Sequence, residues 1–278
     1  MGKKADRPKA PSPSPPRALD PQERQSILDM LHSPRFMDKP PAEAFAMLLD
    51  EGEYRCSIST MYRLLHGAKE VKERRRRTKH LKYAAPELLA TGPNQAWSWD
   101  ITKLKGPGKW NHFCLYVILD IYSRYVVGRM VAHRESASFA SRLIYESARK
   151  QNINHGQLTI HADRGSSMRS KSVALLMSDL GSTKTHSRPQ ASNDNPYSES
   201  QFKTVKYHTT FPDRFGSIED ARSFCPGFFD WYNNEHRHWR IGLMTPSAVH
   251  HGKDAKIAAF RKTVLATAFM AHPDTSAL

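Results

Sequence analysis

Apolar positions recur at helical spacing in three short segments near the start of the chain. Residues 21–32 place Ile27, Leu28 and Leu31 on one face behind a proline suited to a first turn. Residues 41–51 place Phe45, Leu48 and Leu49 together, and residues 57–66 begin at Ser57 or Ser59 as N-cap and stop at Gly67. The third segment carries Tyr62 and Arg63, so helix-turn-helix geometry and a plain three-helix core both fit. From residue 94 the period changes to two. Residues 96–102 alternate Trp97, Trp99 and Ile101 with Ser98, Asp100 and Thr102. A buried strand over 112–121 turns through 122–124 into another over 125–132. A helix at 136–151, a strand at 157–161, a helix at 171–180 and a strand at 183–186 follow. A loop over 187–195 leads to helices at 196–208 and 218–234, the first with Asn195 as N-cap.

Residues 1–20 hold five prolines and little that could form a core, which predicts a disordered tail. The longest wholly apolar run is seven residues, 113–119, far short of the roughly 18 a membrane-spanning helix needs. No secretory leader follows the basic start. Three scattered cysteines give no disulfide framework and point to a reducing, cytoplasmic interior.

The net charge of +15 favours a polyanion, nucleic acid above all. Residues 1–62 are neutral overall, whereas 63–82 carry +7, centred on Arg74, Arg75, Arg76 and Arg77. That block reads either as a solvated linker or as a segment tracking phosphates.

Three carboxylates carry the candidate chemistry. Asp100 sits mid-strand and Asp163 just past a strand end. Glu199 lies in the first turns of a helix, with 35 residues between it and Asp163. Phosphoryl transfer on DNA uses two divalent cations about 4 Å apart, and such hard ions take oxygen ligands. Lys203 and Lys206 fall within a roughly 60° arc of Glu199 on the helix, suited to DNA phosphates or to an ordinary Glu–Lys pair. Asp120 reads as a salt-bridge partner or edge residue, and Asp194 as a helix cap. His161 and the C-terminal histidines, without cysteines at ligand spacing, make a weak metal signal. His238 is expected to pack or to touch DNA.

The order of three strands, helix, strand, helix, strand, helix is that of a ribonuclease-H-like α/β fold: a mixed five-stranded sheet with helices, preceded by a small all-α domain. Trp99-Asp100-Ile101-Thr102, His161-Ala162-Asp163-Arg164-Gly165-Ser166 and Asn193–Ser200 (NDNPYSES) resemble the Asp, Asp-x35-Glu signature of DDE transposases and retroviral integrases. The nearest pattern is the second-reading-frame transposase of bacterial insertion sequences. Tyr232-Asn233, Arg237, His238, Gly242 and Thr245-Pro246 match its post-core segment, so the resemblance covers about residues 21–250.

The resemblance implies a Mg²⁺-dependent DNA transposase, with Mn²⁺ able to substitute and two ions per site. Asp100, Asp163 and Glu199 would be its catalytic metal ligands, and Arg63, Arg74–Arg77, Lys203 and Lys206 its DNA contacts. It implies cleavage at element ends, then strand transfer by the freed 3′-hydroxyl. Its partners would be double-stranded DNA (terminal inverted repeats and target), further copies of the chain, and a first-reading-frame protein or fusion. The extra N-terminal helix-turn-helix, the zipper and the viral His-His-Cys-Cys zinc module have no counterpart here. A non-cutting DNA-binding regulator and a structure-specific nuclease are the alternatives. The expected organisation is a tail at 1–20, a helix-turn-helix domain at 21–67, a basic linker at 68–93, a catalytic core at 94–210, a helical extension at 211–250 and a tail at 251–278.

Overall fold

The computed structural model describes residues 19–70, 90–162, 170–186 and 196–271. The chain divides into two units, residues 79–254 and residues 1–78 with 255–278.

The larger unit is built on five strands: β1 (Ala96–Lys105), β2 (His112–Asp120), β3 (Val126–Ala132), β4 (Thr159–Ala162) and β5 (Thr183–His186). Their order is β3-β2-β1-β4-β5, antiparallel in the β1–β2–β3 meander and parallel from β1 to β4 to β5. This is the mixed sheet of a ribonuclease-H-like fold. The period-two pattern of β1 divides the core. Trp97, Trp99 and Ile101 face the layer of Tyr116, Ile118, Leu143, Ile144 and Val173. Those helical residues belong to α4 (Ala137–Lys150) and α5 (Lys171–Asp179). Leu104, on the opposite face of β1, joins Leu115, Val117 and Leu119 under Phe202, Val205, Phe229 and Tyr232. Here the helices are α6 (Pro196–Lys206) and α7 (Ile218–Asn234). Gly128 of β3 allows α4 to come close, since a Cβ there would overlap the Ser147 side chain.

Asp120 is not an edge residue but does have an ion-pair partner, a buried one: its Oδ1 lies 3.8 Å from Nδ1 of His250. It is fully buried at the end of β2, whose neighbours on both sides are paired strands. Its Oδ1 accepts the Ser123 N–H (2.7 Å) and hydroxyl (2.6 Å), and its Oδ2 accepts the Asn94 N–H (2.7 Å). The Ser123 hydroxyl also lies 3.0 Å from His250 Nδ1, whose ring stacks on Tyr125 and meets Gln151. A buried carboxylate with this many donors is a structural knot. It holds the β2–β3 turn to α8 (Pro246–His250).

In the smaller unit, α1 (Pro21–His32), α2 (Pro41–Asp50) and α3 (Ile58–Gly67) fall where the apolar spacing predicts. Asp20 and Glu23 form a reciprocal cap on α1, and the Ser57 hydroxyl accepts the Thr60 N–H to start α3. Ile27, Leu31, Phe36, Leu48 and Met61 form its core. Residues 254–271, read as part of a C-terminal tail, form helix α9 (Asp254–Ala271). Its large apolar residues Ile257, Phe260, Val264, Leu265 and Phe269 are offset by Ala255, Ala259, Ala266 and Met270 on the opposite side, so apolar positions surround the helix and hide it from periodicity. The Arg261 guanidinium donates to both Asp50 carboxylate oxygens, at 2.6 and 3.1 Å, tying α9 to α2.

The three cysteines are buried free thiols, and burial pushes Cys56 and Cys225 up to about 11. Among the described residues no helix is long and apolar enough to cross a membrane.

Candidate active site

Asp100 lies half-buried midway along β1, on the same face as Ser98 and Thr102 and opposite Val117 of β2. Its Oδ1 accepts the N–H of Ile101 at 2.8 Å, which steadies the carboxylate against the strand. Burial of the tryptophan face leaves Asp100 no other direction to take.

Glu199 stands half-buried in the first turn of α6. Phe202 and Val205 anchor this helix in the core, and Lys203 and Lys206 are exposed. Ser198, immediately before Glu199, is buried and meets the Ser98 hydroxyl at 2.6 Å. This contact joins residues 100 positions apart. It links the strand face that carries Asp100 to the helix turn that carries Glu199.

Asp163 lies outside the described residues, as do Arg74–Arg77, Asp194 and Asn195. The residue before Asp163, Ala162, is buried at the end of β4 and paired in register with Trp99. Among the described residues no three His, Cys, Asp or Glu side chains gather as a metal-binding group. Arg63 is exposed on α3 in the other unit, donating to Thr60 Oγ1 at 2.7 Å. His161 is buried in the sheet opposite Ser98.

The post-core motif builds structure. Asn233 pairs with both backbone polar groups of Val126, accepting its N–H at 2.9 Å and donating to its carbonyl at 3.2 Å. Tyr232 is buried beside it, and that burial raises its phenol far above the usual range. His238 packs: its Nδ1 accepts the Arg240 N–H at 3.3 Å, and its backbone bridges to Met244. Gly242 supplies the left-handed turn (φ 67°), and Thr245 caps α8 ahead of Pro246.

Arg124 is the residue that motif reading missed. It occupies a left-handed conformation (φ 66°) in the β2–β3 turn, and its guanidinium lies 4.2 Å from the Tyr197 ring centroid. Burial, with Arg240 nearby, pushes its pKa down. Its only sequence signal was a lone cation in the turn after a buried strand.

Two family models described as integrase core domain match the chain, over residues 90–192 and 180–246. Together they span more than half of it. The chain belongs to the superfamily of DDE transposases and retroviral integrases. Its relatives include an insertion element IS600 31 kDa protein of Shigella sonnei, 28% identical over 170 residues. That alignment takes in 59% of this chain and 61% of the relative. The putative transposase InsK for insertion sequence IS150 of Escherichia coli is 23% identical over 187 residues, 66% of this chain and 65% of that one. The integrase-core chain thus spans somewhat less than two thirds of these curated relatives. A solved HTLV-2 integrase catalytic core in complex with magnesium aligns at 15% identity with a TM-score of 0.44, covering 59% of this chain and all of that one.

Proposed function

We propose that this integrase-core protein is a DNA transposase that cuts at the ends of a mobile element and joins the freed 3′-hydroxyl to target DNA. Cleavage breaks a phosphodiester P–O3′ bond by hydrolysis. Transfer then displaces the 3′ oxygen of a target phosphodiester. The observation that carries the reading is the Ser98–Ser198 contact, because it ties the Asp100 strand to the Glu199 helix.

The donor set fits Mg²⁺. Asp100 and Glu199 offer hard carboxylate oxygens, half-buried on rigid elements. With Asp163, which follows the β4 residue paired to Trp99, they would hold two ions. When bound there, divalent cations stabilise charge on the attacking and leaving oxygens. Lys203 and Lys206, exposed on α6, would grip the phosphates of the terminal DNA and hold the reacting one in place. Arg63 and Arg74–Arg77 would add sequence-independent phosphate contacts. Several copies would act together on paired ends, alongside a first-reading-frame partner.

The test is incubation of the chain with DNA bearing the element's ends. Nicks ending in 3′-hydroxyls and joined products should form with Mg²⁺ or Mn²⁺ and vanish with EDTA. Cleavage that persists in EDTA contradicts the reading.

A further inference from the structure

Beside α6 lies a pocket of about 880 Å³, bordered by Tyr122, Arg124, Tyr197, Trp239, Arg240 and Gly242. Its size falls within the roughly 300–1,000 Å³ of small-ligand sites. Four observations give it a chemistry. Trp239 is 69% exposed, an unusual state for so large an apolar ring. Arg124 stacks on Tyr197, and its buried Nε has no hydrogen-bond partner among the described residues. Arg240 is close enough to Arg124 to disfavour its charge. Neither guanidinium has an ion pair among the described residues, and Asp254 is the one acid among the described lining residues.

Two like charges and an unsatisfied buried donor call for an anion. A bare phosphate would leave the Trp239 ring without a role. A nucleotide uses both features, its phosphate against the arginines and its flat base on the indole. A base inside a duplex is already sandwiched by its neighbours and cannot stack on a side chain until it leaves the helix.

We infer that this pocket seats one unpaired nucleotide of the DNA substrate, with its base on Trp239 and its phosphate between Arg124 and Arg240. This deepens the proposed function and rests on its assignment of DNA as substrate. Tyr197, the wall under Arg124, precedes Glu199 by two residues, so the seated nucleotide and the candidate acid share one helix. Arg124 enters from the β2–β3 turn, which Asp120 and Ser123 hold rigid. Both walls are therefore preorganised.

The experiment measures binding of the full chain to a labelled oligothymidylate of about 15 nucleotides, to a blunt duplex of the same length and to dTMP. Trp239→Ala should weaken single-strand binding by roughly 5- to 150-fold, the range of base–aromatic stacking. Duplex binding should stay within about twofold. Trp239→Phe should recover most of the loss. Arg240→Gln should make the single-strand salt slope shallower by about 0.7. Trp239 is largely exposed, so its replacement leaves the core intact.

Single-strand affinity unchanged in Trp239→Ala, or reduced equally for both DNA forms, overturns the inference. So does a parent chain that binds no single strand, or one that binds dTMP while its oligonucleotide affinity ignores Trp239. A chain that shows the Trp239-dependent single-strand binding yet cuts no DNA in Mg²⁺ keeps this pocket and sinks the transposase reading instead.

Discussion

Burial pushes the His238 imidazole down to about 4, helped by the positive charges of Arg124, His236 and Arg240. The folded chain therefore holds this ring neutral, with Nδ1 accepting from Arg240. An unfolded chain takes up a proton at the ordinary histidine pKa near 6.5. Below that pH the unfolded state binds more protons, so stability falls as pH drops from about 6.5 toward 4. Between pH 7.5 and 5 the decrease should be about 1–2 kcal/mol. His238→Asn keeps an acceptor and removes the titration, so its urea midpoint should vary less with pH than the parent's. Identical pH slopes would show that His238 titrates normally. Motif reading left this residue open between packing and DNA contact, because a histidine's role depends on neighbours such as Arg124, over 100 residues away in sequence. Asn233 was similarly opaque. Its place in the motif was visible, but its pairing with the Val126 backbone was not.

Between elements, the decisive contact is the one from β1 to α6. Ser98 and Ser198 are both buried, and one hydroxyl donates to the other at 2.6 Å. Ser98→Ala and Ser198→Ala should each cost about 1 kcal/mol, through the buried hydrogen bond each removes. The double variant should cost less than the sum of the two, because it removes both polar groups together. Chemical denaturation of the four proteins measures the coupling, and strict additivity would mean that the contact contributes nothing. The elements themselves were largely legible. The alternation in 96–102 separated the tryptophan face from the Asp100 face, and the apolar spacing within 21–66 marked the three helices of the smaller unit. The serine pair was not legible, since nothing local in either segment announces a partner 100 residues away. Helix α9 was hidden for a different reason. Its apolar positions scatter around the helix, so no periodic stripe marks it, and its tie through Arg261 to Asp50 is also non-local.

At the scale of the molecule, the chain combines two units with a strongly basic segment. Arg74–Arg77 lie just before the boundary at 78–79 and outside the described residues. Their replacement by Ala should weaken binding to every DNA sequence alike. The salt slope should become shallower by up to roughly 0.9 for each phosphate no longer neutralised. Unequal weakening on element-end and random DNA would show that these arginines read bases. The charge pattern alone marks this segment as a candidate for phosphate contact, because counterion release depends on charge count rather than on packing. The proposed function places Asp100, Asp163 and Glu199 in one site for strand cleavage and transfer. Its most direct test is a cleavage assay in Mg²⁺ on DNA carrying the element's ends, with binding measured on the same substrate. Asp100→Asn, Asp163→Asn and Glu199→Gln should each abolish cleavage and joining while DNA affinity stays close to the parent's. A variant that cuts near the parent rate would remove its residue from the site, and activity retained in all three would contradict the account.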